Sequence, residues 1–447
     1  MARGEFNSRI GTFAAVAGSV VGLGNLWRFP YLAGENGGFA FLLVYVCVSL
    51  LVSLPVMLSE FSIGRSQQCN AMRAFRRIAP GPWYLIGFLG VVTAYVIDSF
   101  YMVVGGWSLE FLRASIMDEF SGKSSEEIKS YFDAFLAGGT GPVLQALTSL
   151  GIATVVVFFG VSKGIERFNK LLMPSLFVLL LILVYNSLFC LPKSSEGIEF
   201  LFKPDFEKIE FHTVLTAMGQ SFFSLSLGMG AMLTYGSYIR PDRNLTKTAL
   251  GIVGFDSMVA ILSGMVIFPA VFSFGIEPTQ GPTLLFNTMP NIFQQMTGGR
   301  AFSILFFLLV YFAAVTSQVS LLEVVVAFAS EEFRIARWKV TLGVGLTMAL
   351  TGTMCALSQA EGGLFVINGT PLFDLFDSMS SNYMLPIGGF FIVLFAGWIM
   401  PSRVLRSQLT NNVDEKRPIY YIVLRFLMRY VSPAFVAIMF LNLVGFI

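Results

Sequence analysis

The chain has 447 residues, 55% of them hydrophobic and only 13% charged, and its 29 Lys plus Arg against 27 Asp plus Glu give a formal charge of +2. Soluble domains carry about 25% charged residues, and a soluble chain of this length divides into roughly two or three domains joined by polar linkers; no such linker appears. The near-neutral balance leaves no basic excess to grip nucleic acid, and four scattered cysteines (Cys47, Cys69, Cys190, Cys355) with a single histidine, His212, argue against a zinc site or Cys/His catalysis. What remains is a polytopic all-α membrane protein, for which 43 Gly and 46 Phe suit helices packed closely in lipid.

A bilayer core of about 30 Å needs about 20 apolar residues per helix, and Phe39 to Leu58 meets this without one charge. In chain order the spans are read at 9–36, 39–58, 83–112, 143–161, 165–191, 212–239, 246–275, 300–330, 339–357, 371–400 and 418–446, eleven in all. The first hydrophobic stretch outruns a signal h-region and lacks a small-residue cleavage pattern, so it is expected to stay in the mature protein. Basic residues cluster on alternate connections: Arg3 and Arg9; Arg65, Arg73, Arg76 and Arg77; Lys163, Arg167 and Lys170; Arg240, Arg243 and Lys247; Arg334, Arg337 and Lys339; Arg403, Arg406, Lys416 and Arg417. This asymmetry predicts a plasma-membrane protein with a cytoplasmic N-terminus and an extracellular C-terminus.

Two spans are not uniform helices. Span one carries Gly18-Ser19-Val20-Val21-Gly22-Leu23-Gly24-Asn25, and span six carries Ser224-Leu225-Ser226-Leu227-Gly228-Met229-Gly230. Mid-helix glycine costs about 1 kcal/mol against alanine, and unwound backbone at membrane depth is tolerated only where protein buries it or where it lines a cavity. Exposed carbonyls there can coordinate a small cation while a half-helix N-terminus attracts a carboxylate. Small-residue packing through Gly18 and Gly22 is the alternative for span one taken alone, but the matching interruption five spans later points to a shared midplane site.

Val21-Gly22-Leu23-Gly24-Asn25-Leu26-Trp27-Arg28-Phe29-Pro30-Tyr31 and Glu35-Asn36-Gly37-Gly38 resemble the neurotransmitter:sodium symporters, as do Gly219 to Ser226, Thr234 to Tyr238 and Ala313 to Ser317, so the likeness covers nearly the whole chain. The resemblance implies a five-plus-five inverted repeat, with residues 1–191 as the first repeat, 192–400 as the second, and 401–447 as a loop with a peripheral span eleven. It also implies import of a substrate with sodium, with two sodium ions and no organic cofactor. One sodium would lie among the carbonyls of Gly18, Val21 and Ala313 and the hydroxyls of Thr316 and Ser317, hard oxygen donors suited to that cation; alternatively the two hydroxyls bond back to their own helix.

By the same resemblance a second sodium would use the Val20 carbonyl, the Asn25 amide, Ser224 and a span-seven residue, with the substrate carboxylate as a further ligand. Aligning on Ser263-Gly264 leaves Phe255 or Asp256 at that position, and only Asp256 can ligate. Relatives commonly place an asparagine there with a chloride or a later glutamate; that later position is Ala260 here, so Asp256 is expected to supply the negative charge and to make transport independent of chloride. The alternative is a protonated Asp256 bonded to a neighbouring helix.

For substrate, the amides of Leu23 and Gly24 and the Tyr101 hydroxyl would hold a carboxylate, and the carbonyls of Val20, Phe223 and Ser224 an ammonium, which describes an α-amino acid. Amine-transporting relatives carry an aspartate where Gly22 stands. Ile97, Tyr101, Phe223, Ser226, Met229, Ser317 and Leu321 would form an apolar side-chain pocket. Met229, between two glycines, can yield to large or aromatic side chains, unless it only fills the core. Arg28 and Asp377, with Phe223 below them, match the family's outer gate; Arg3 and Glu331, with Tyr238 nearby and Phe6 in place of a common tryptophan, match the inner one. Incidental loop charges are the alternative.

Gly164 and Pro174 mark a place where span five can unwind, or a static kink. Asp98 and Glu323 are expected to make interhelical hydrogen bonds, with proton countertransport as the alternative, and His212 is given no role. The reading is therefore a sodium-coupled importer of hydrophobic L-amino acids, including large aliphatic and aromatic ones, able to work as a monomer in the lipid bilayer. The competing class is an amino-acid-gated channel or non-transporting sensor on the same scaffold. An enzyme is not expected, since no base or nucleophile constellation is present.

Overall fold

The computed structural model describes residues 4–203, 205–274, 284–296, 298–360, 362–411, 418–443 and 445–446. Arg3, Lys416, Arg417 and the last residue of span seven fall outside these. The regular secondary structure of the described residues is helical except for a two-residue antiparallel ladder, Val366–Ile367 against Thr370–Pro371. Among the described residues nine helices are long and apolar enough to cross a membrane: Phe39–Gln67, Tyr84–Ile116, Thr140–Phe158, Val161–Phe189, Leu245–Ser273, Gly299–Glu332, Arg337–Ser358, Leu372–Ile399 and Ile419–Leu443. A tenth is the bent pair Arg9–Val20 and Gly24–Glu35, which turns by 52°. Span six is also in two pieces, Phe211–Ser224 and Ala231–Gly236. Each long element agrees with its sequence reading to within a few residues, except that Phe39–Gln67 runs nine residues beyond Leu58.

Prolines shape these helices in one recurrent way. Pro30, Pro55, Pro290, Pro386 and Pro433 each stand second in an α-helical segment that directly follows a π-helical turn: Gly24–Arg28, Ser49–Ser53, Leu284–Thr288, Ser380–Met384 and Leu427–Val431. A proline ring clashes with the carbonyl four residues back and brings no N–H; the wider π turn moves that carbonyl aside without breaking the helix. The displaced carbonyl then needs a donor, and at Pro55 this comes from another helix: Ser432 donates to the carbonyls of Leu51 at 3.4 Å and Val52 at 3.1 Å, tying the last span to the second.

The break in span six is held by a residue of Phe39–Gln67. Glu60 is fully buried, its Oε1 accepts the Gly228 N–H at 2.8 Å, and its Oε2 accepts the Leu233 N–H at 3.1 Å. Through this break the backbone enters the left-handed region at Ser226 (φ 52°), Gly228 (φ 80°) and Gly230 (φ 73°). A Cβ on Gly228 would stand 2.5 Å from the Leu385 carbonyl oxygen, so both its torsion and its space require glycine. Glu60→Ala leaves two buried N–H groups without acceptors and is expected to cost about 2–5 kcal/mol. Thermal unfolding of the detergent-solubilised protein checks this, and a melting temperature equal to that of the unaltered chain refutes it.

Candidate functional site

The two breaks meet at the centre of the bundle. Ser226 Oγ donates to the Ser19 carbonyl at 2.7 Å, Ser317 Oγ to the same carbonyl at 3.5 Å, and Gln220 Nε2 to the Gly24 carbonyl at 2.7 Å. Arg9–Val20 ends because Val21 turns to an extended conformation (φ −77°, ψ 98°), its own N–H still reaching back to the Ala17 carbonyl. Among the described hydrogen bonds none ends on the carbonyls of Gly18, Val20 or Val21, and none uses the Gly24 N–H. These are backbone groups expected to face a cation and an anion, and they are left over by the break itself.

At the first candidate ion position, Thr316 Oγ1 donates to the carbonyls of Phe312 at 2.9 Å and Ala313 at 3.2 Å. This back-bonding is the local alternative raised by the sequence, and it leaves the oxygen lone pairs of Thr316 available to a cation. At the second, Asp256 decides the chemistry. Its fully buried carboxylate accepts from Asn25 Nδ2 at 2.7 Å and Ser224 Oγ at 2.6 Å on Oδ1, and from the Tyr45 hydroxyl on Oδ2. Asn25 in turn accepts the Gly22 N–H at 3.3 Å, so the amide bridges the carboxylate to the broken backbone. Phe255 instead packs edge-on against Phe13, and its ring also meets Phe177, which assigns the inward position of this helix to Asp256.

A small cavity lies against both breaks, lined by Val20, Gly24, Ile97, Tyr101, Phe223, Ser224, Ser226, Met229, Ser317 and Leu321, with a free volume of ≈ 20 Å³. Leu23 contributes its N–H, which donates to the Tyr101 hydroxyl at 3.3 Å. Outside it is a second cavity of ≈ 340 Å³, and Tyr101 and Phe223 border both. Arg28 lies over the Phe223 ring at 5.3 Å and lines that outer cavity with Asp377. Arg28 and Asp377 do not form the expected ion pair: the Asp377 carboxylate accepts from Ser381 Oγ at 3.1 Å, and the guanidinium is held on the aromatic ring.

On the opposite side, Glu331 accepts from the Asn70 backbone N–H at 2.7 Å and from its Nδ2 at 3.1 Å. Phe6 packs edge-on against Tyr235 and Tyr238. Tyr238 donates to Glu323 Oε1 at 2.5 Å, and Arg337 pairs with both oxygens of that carboxylate, so Glu323 makes the interhelical bonds foreseen for it. Asp98 does not: both carboxylate oxygens are buried and without a partner among the described residues. Helical spacing set Asp98 inside the bundle but carried no information on whether a donor faced it. Span five remains helical, with a π turn at Val161–Glu166 around Gly164 and with Pro174 inside Arg167–Phe189.

Three residues that hold the site were not singled out in the sequence. Tyr45, Glu60 and Gln220 reach the breaks from elsewhere in the bundle. The only local signal was a polar residue within an otherwise apolar run, which marks Glu60 in Phe39–Gln67 as an intramembrane acid requiring a partner.

A bundle of membrane-crossing helices, two of them broken against each other around a buried carboxylate, defines the class as a polytopic membrane transporter. The profile of the sodium:neurotransmitter symporter family matches residues 3–131 and 137–446, and the chain belongs to that family. It is 37% identical over 442 residues to an uncharacterised sodium-dependent transporter, YhdH, of Bacillus subtilis, covering 99% of this chain and 98% of that one. It is 32% identical to a second such transporter from Haemophilus influenzae, covering 98% of each chain. The crystal structure of MhsT in complex with L-phenylalanine superposes with a TM-score of 0.90 at 39% identity, over 99% of this chain and 100% of that one. The protein is a multi-pass, sodium-dependent transporter and not an enzyme.

Close contacts at the glycines give a direct test of the site. A Cβ on Gly22 would stand 2.6 Å from Ser317 Oγ and 3.1 Å from the Tyr101 hydroxyl, whereas one on Gly219 meets nothing within 4 Å. Overpacking a filled site costs typically 1–3 kcal/mol, so Gly22→Ala is expected to lower sodium-driven uptake by about tenfold or more. Gly219→Ala is expected to leave it near the unaltered level; equal uptake by the two variants refutes the placement of Gly22 at the site.

Proposed function

We propose that the protein is a sodium-coupled symporter that imports hydrophobic L-amino acids, large aliphatic and aromatic ones included, by alternating access. The observation that carries this reading is a Gly24 N–H and a Val20 carbonyl without partners among the described residues, both bordering a cavity where the apolar side chains of Ile97, Phe223, Met229 and Leu321 stand beside serine hydroxyls. A half-helix N-terminus and N–H groups suit a carboxylate, carbonyls suit an ammonium or sodium, and the apolar lining suits a hydrocarbon or aromatic side chain. The relative MhsT, crystallised with L-phenylalanine, supports an aromatic substrate. Tyr101 would orient the carboxylate, and Met229, flanked by Gly228 and Gly230 in the left-handed region, would yield to bulky side chains.

In this reading two sodium ions bind. One takes the carbonyls of Gly18, Val21 and Ala313 with Thr316 and Ser317; the other takes Val20, Asn25, Ser224 and Asp256 with the substrate carboxylate, which couples ion to substrate. The buried Asp256 carboxylate supplies the negative charge of that site, so chloride is not required. The eleven spans form two inverted repeats of five, residues 1–191 and 192–400, with 401–447 peripheral, the N-terminus cytoplasmic and the C-terminus extracellular. Phe223, Arg28 and Asp377 close the outer side, with Arg28 and Asp377 approaching when the vestibule narrows. Glu331 and Tyr238 act at the inner side, together with Arg3, which lies outside the described residues.

Uptake of radiolabelled leucine and tryptophan by the purified protein in liposomes tests this. An inward sodium gradient is expected to concentrate both, and potassium in place of sodium to abolish accumulation; binding of both without accumulation favours a sensor. Replacing chloride by gluconate is expected to leave uptake unchanged, and a collapse refutes the role given to Asp256. Met229→Phe is expected to reduce tryptophan uptake relative to leucine by roughly tenfold through overpacking, read from competition between the two labels; an unchanged ratio removes Met229 as the selectivity determinant.

A further inference from the structure

Two glycines on one face of Arg9–Val20 are pressed by oxygen atoms from span five. A Cβ on Gly11 would stand 1.9 Å from Glu166 Oε1, and one on Gly18 would stand 1.8 Å from Asn169 Oδ1 and 3.4 Å from the Thr316 Cβ. The two are seven residues apart, two helical turns, so they share a face. Larger residues there would push span five away and remove the oxygens from the seam.

Asn169 is the unexplained member. Its side chain is fully buried, its Nδ2 donates to the Ile165 carbonyl at 2.9 Å, and its Oδ1 has no partner among the described residues. The Nδ2 bond fixes which atom is turned to Gly18: the oxygen, an acceptor with two lone pairs. A buried amide oxygen without a donor costs about 1–3 kcal/mol, and here it is held against the backbone of the first candidate sodium position. Nearer the basic end of the bundle, Glu166 accepts from the backbone N–H groups of Asn7 at 2.7 Å and Ser8 at 3.3 Å, from Ser8 Oγ at 3.1 Å, and pairs with Lys170 at 2.6 Å. Ser8 is also the N-cap of Arg9–Val20, accepting the Gly11 N–H at 2.9 Å. Glu166 therefore fastens the start of span one to span five, and separation of the two removes the Asn7 and Ser8 donors from that carboxylate, leaving Lys170 as its partner.

We propose that Asn169 Oδ1 and the Glu166 carboxylate form a relay site for sodium between spans one and five, receiving the ion from the Gly18 and Thr316 position on its way to the basic, cytoplasmic end. This rests on the sodium-symport reading above. Asn169 is the neutral first donor, available without breaking any bond. Glu166 is the charged second donor, available only once the span-one N-terminus lets go. Release of the ion is thereby linked to opening of the seam, and the glycines at 11 and 18 keep the oxygens within reach of the path.

The test compares the unaltered protein with Asn169→Leu, which removes the oxygen at similar size, and Asn169→Asp, nearly isosteric and charged, which guards against a folding failure of the first. Sodium-dependent leucine binding at equilibrium and net uptake turnover are measured on the same liposome preparations. Loss of one ligand on the exit path is expected to slow Asn169→Leu turnover by about tenfold, with the sodium half-saturation of binding shifted by no more than about threefold. The carboxylate of Asn169→Asp is expected to retain the ion, so that about tenfold less internal sodium half-inhibits uptake. If the unaltered protein accumulates leucine on a sodium gradient and both variants match it in turnover and internal-sodium inhibition, the relay is refuted and the transport reading stands. If the unaltered protein accumulates nothing, the transport reading fails and the relay with it.

Discussion

Hydrocarbon offers a peptide group no hydrogen-bond partner, so each backbone group freed inside the membrane must find one within the protein or be reserved for cargo. The architecture follows from that constraint. Among the described residues, the first and sixth spans break at 21–23 and 225–230, where each break is enclosed by the other and by buried side chains. Glu60 satisfies the amides of one break, and Ser226 and Gln220 satisfy carbonyls of the other. Among the described residues the carbonyls of Gly18, Val20 and Val21 and the N–H of Gly24 stay without partners, and Val20 and Gly24 border the small cavity between the breaks.

The Asp256 carboxylate is the second organising element. A bare carboxylate at this depth is costly, and three donors from three different segments, Asn25, Ser224 and Tyr45, share the burden. Because Asn25 also accepts the Gly22 N–H, the carboxylate is connected to both breaks at once. In the proposed reading a cation at this position would meet side chains already oriented by Asp256, a preorganised arrangement in place of one assembled on binding.

The scaffold around the site tolerates proline and glycine through two different devices. Five prolines directly follow π turns, which shift the carbonyl that the ring would strike, and at Pro55 a neighbouring helix uses the displaced backbone through Ser432. Glycines at 11, 18, 22 and 24 leave room for Glu166, Asn169, Ser317 and Phe223 against the backbone of span one. The same small residues that weaken a helix in isolation therefore bring the chemistry-bearing side chains into contact with it.

Much of this was determined by the sequence alone, because its causes are local. Apolar runs of sufficient length set the membrane-crossing segments, glycine-rich interruptions marked the two breaks, and an acid able to ligate distinguished Asp256 from Phe255. Partnerships across the bundle were decided only by the tertiary structure. Glu60 meets Gly228 across 168 residues of chain and Tyr45 meets Asp256 across 211, distances at which no helical period carries a signal. The same reason left Asp98 without the bond expected of it, Arg28 on a ring in place of a carboxylate, and Asn169 unnoticed: hydrophobic pattern fixes which side of a helix faces inward, but only packing fixes which side chain stands opposite.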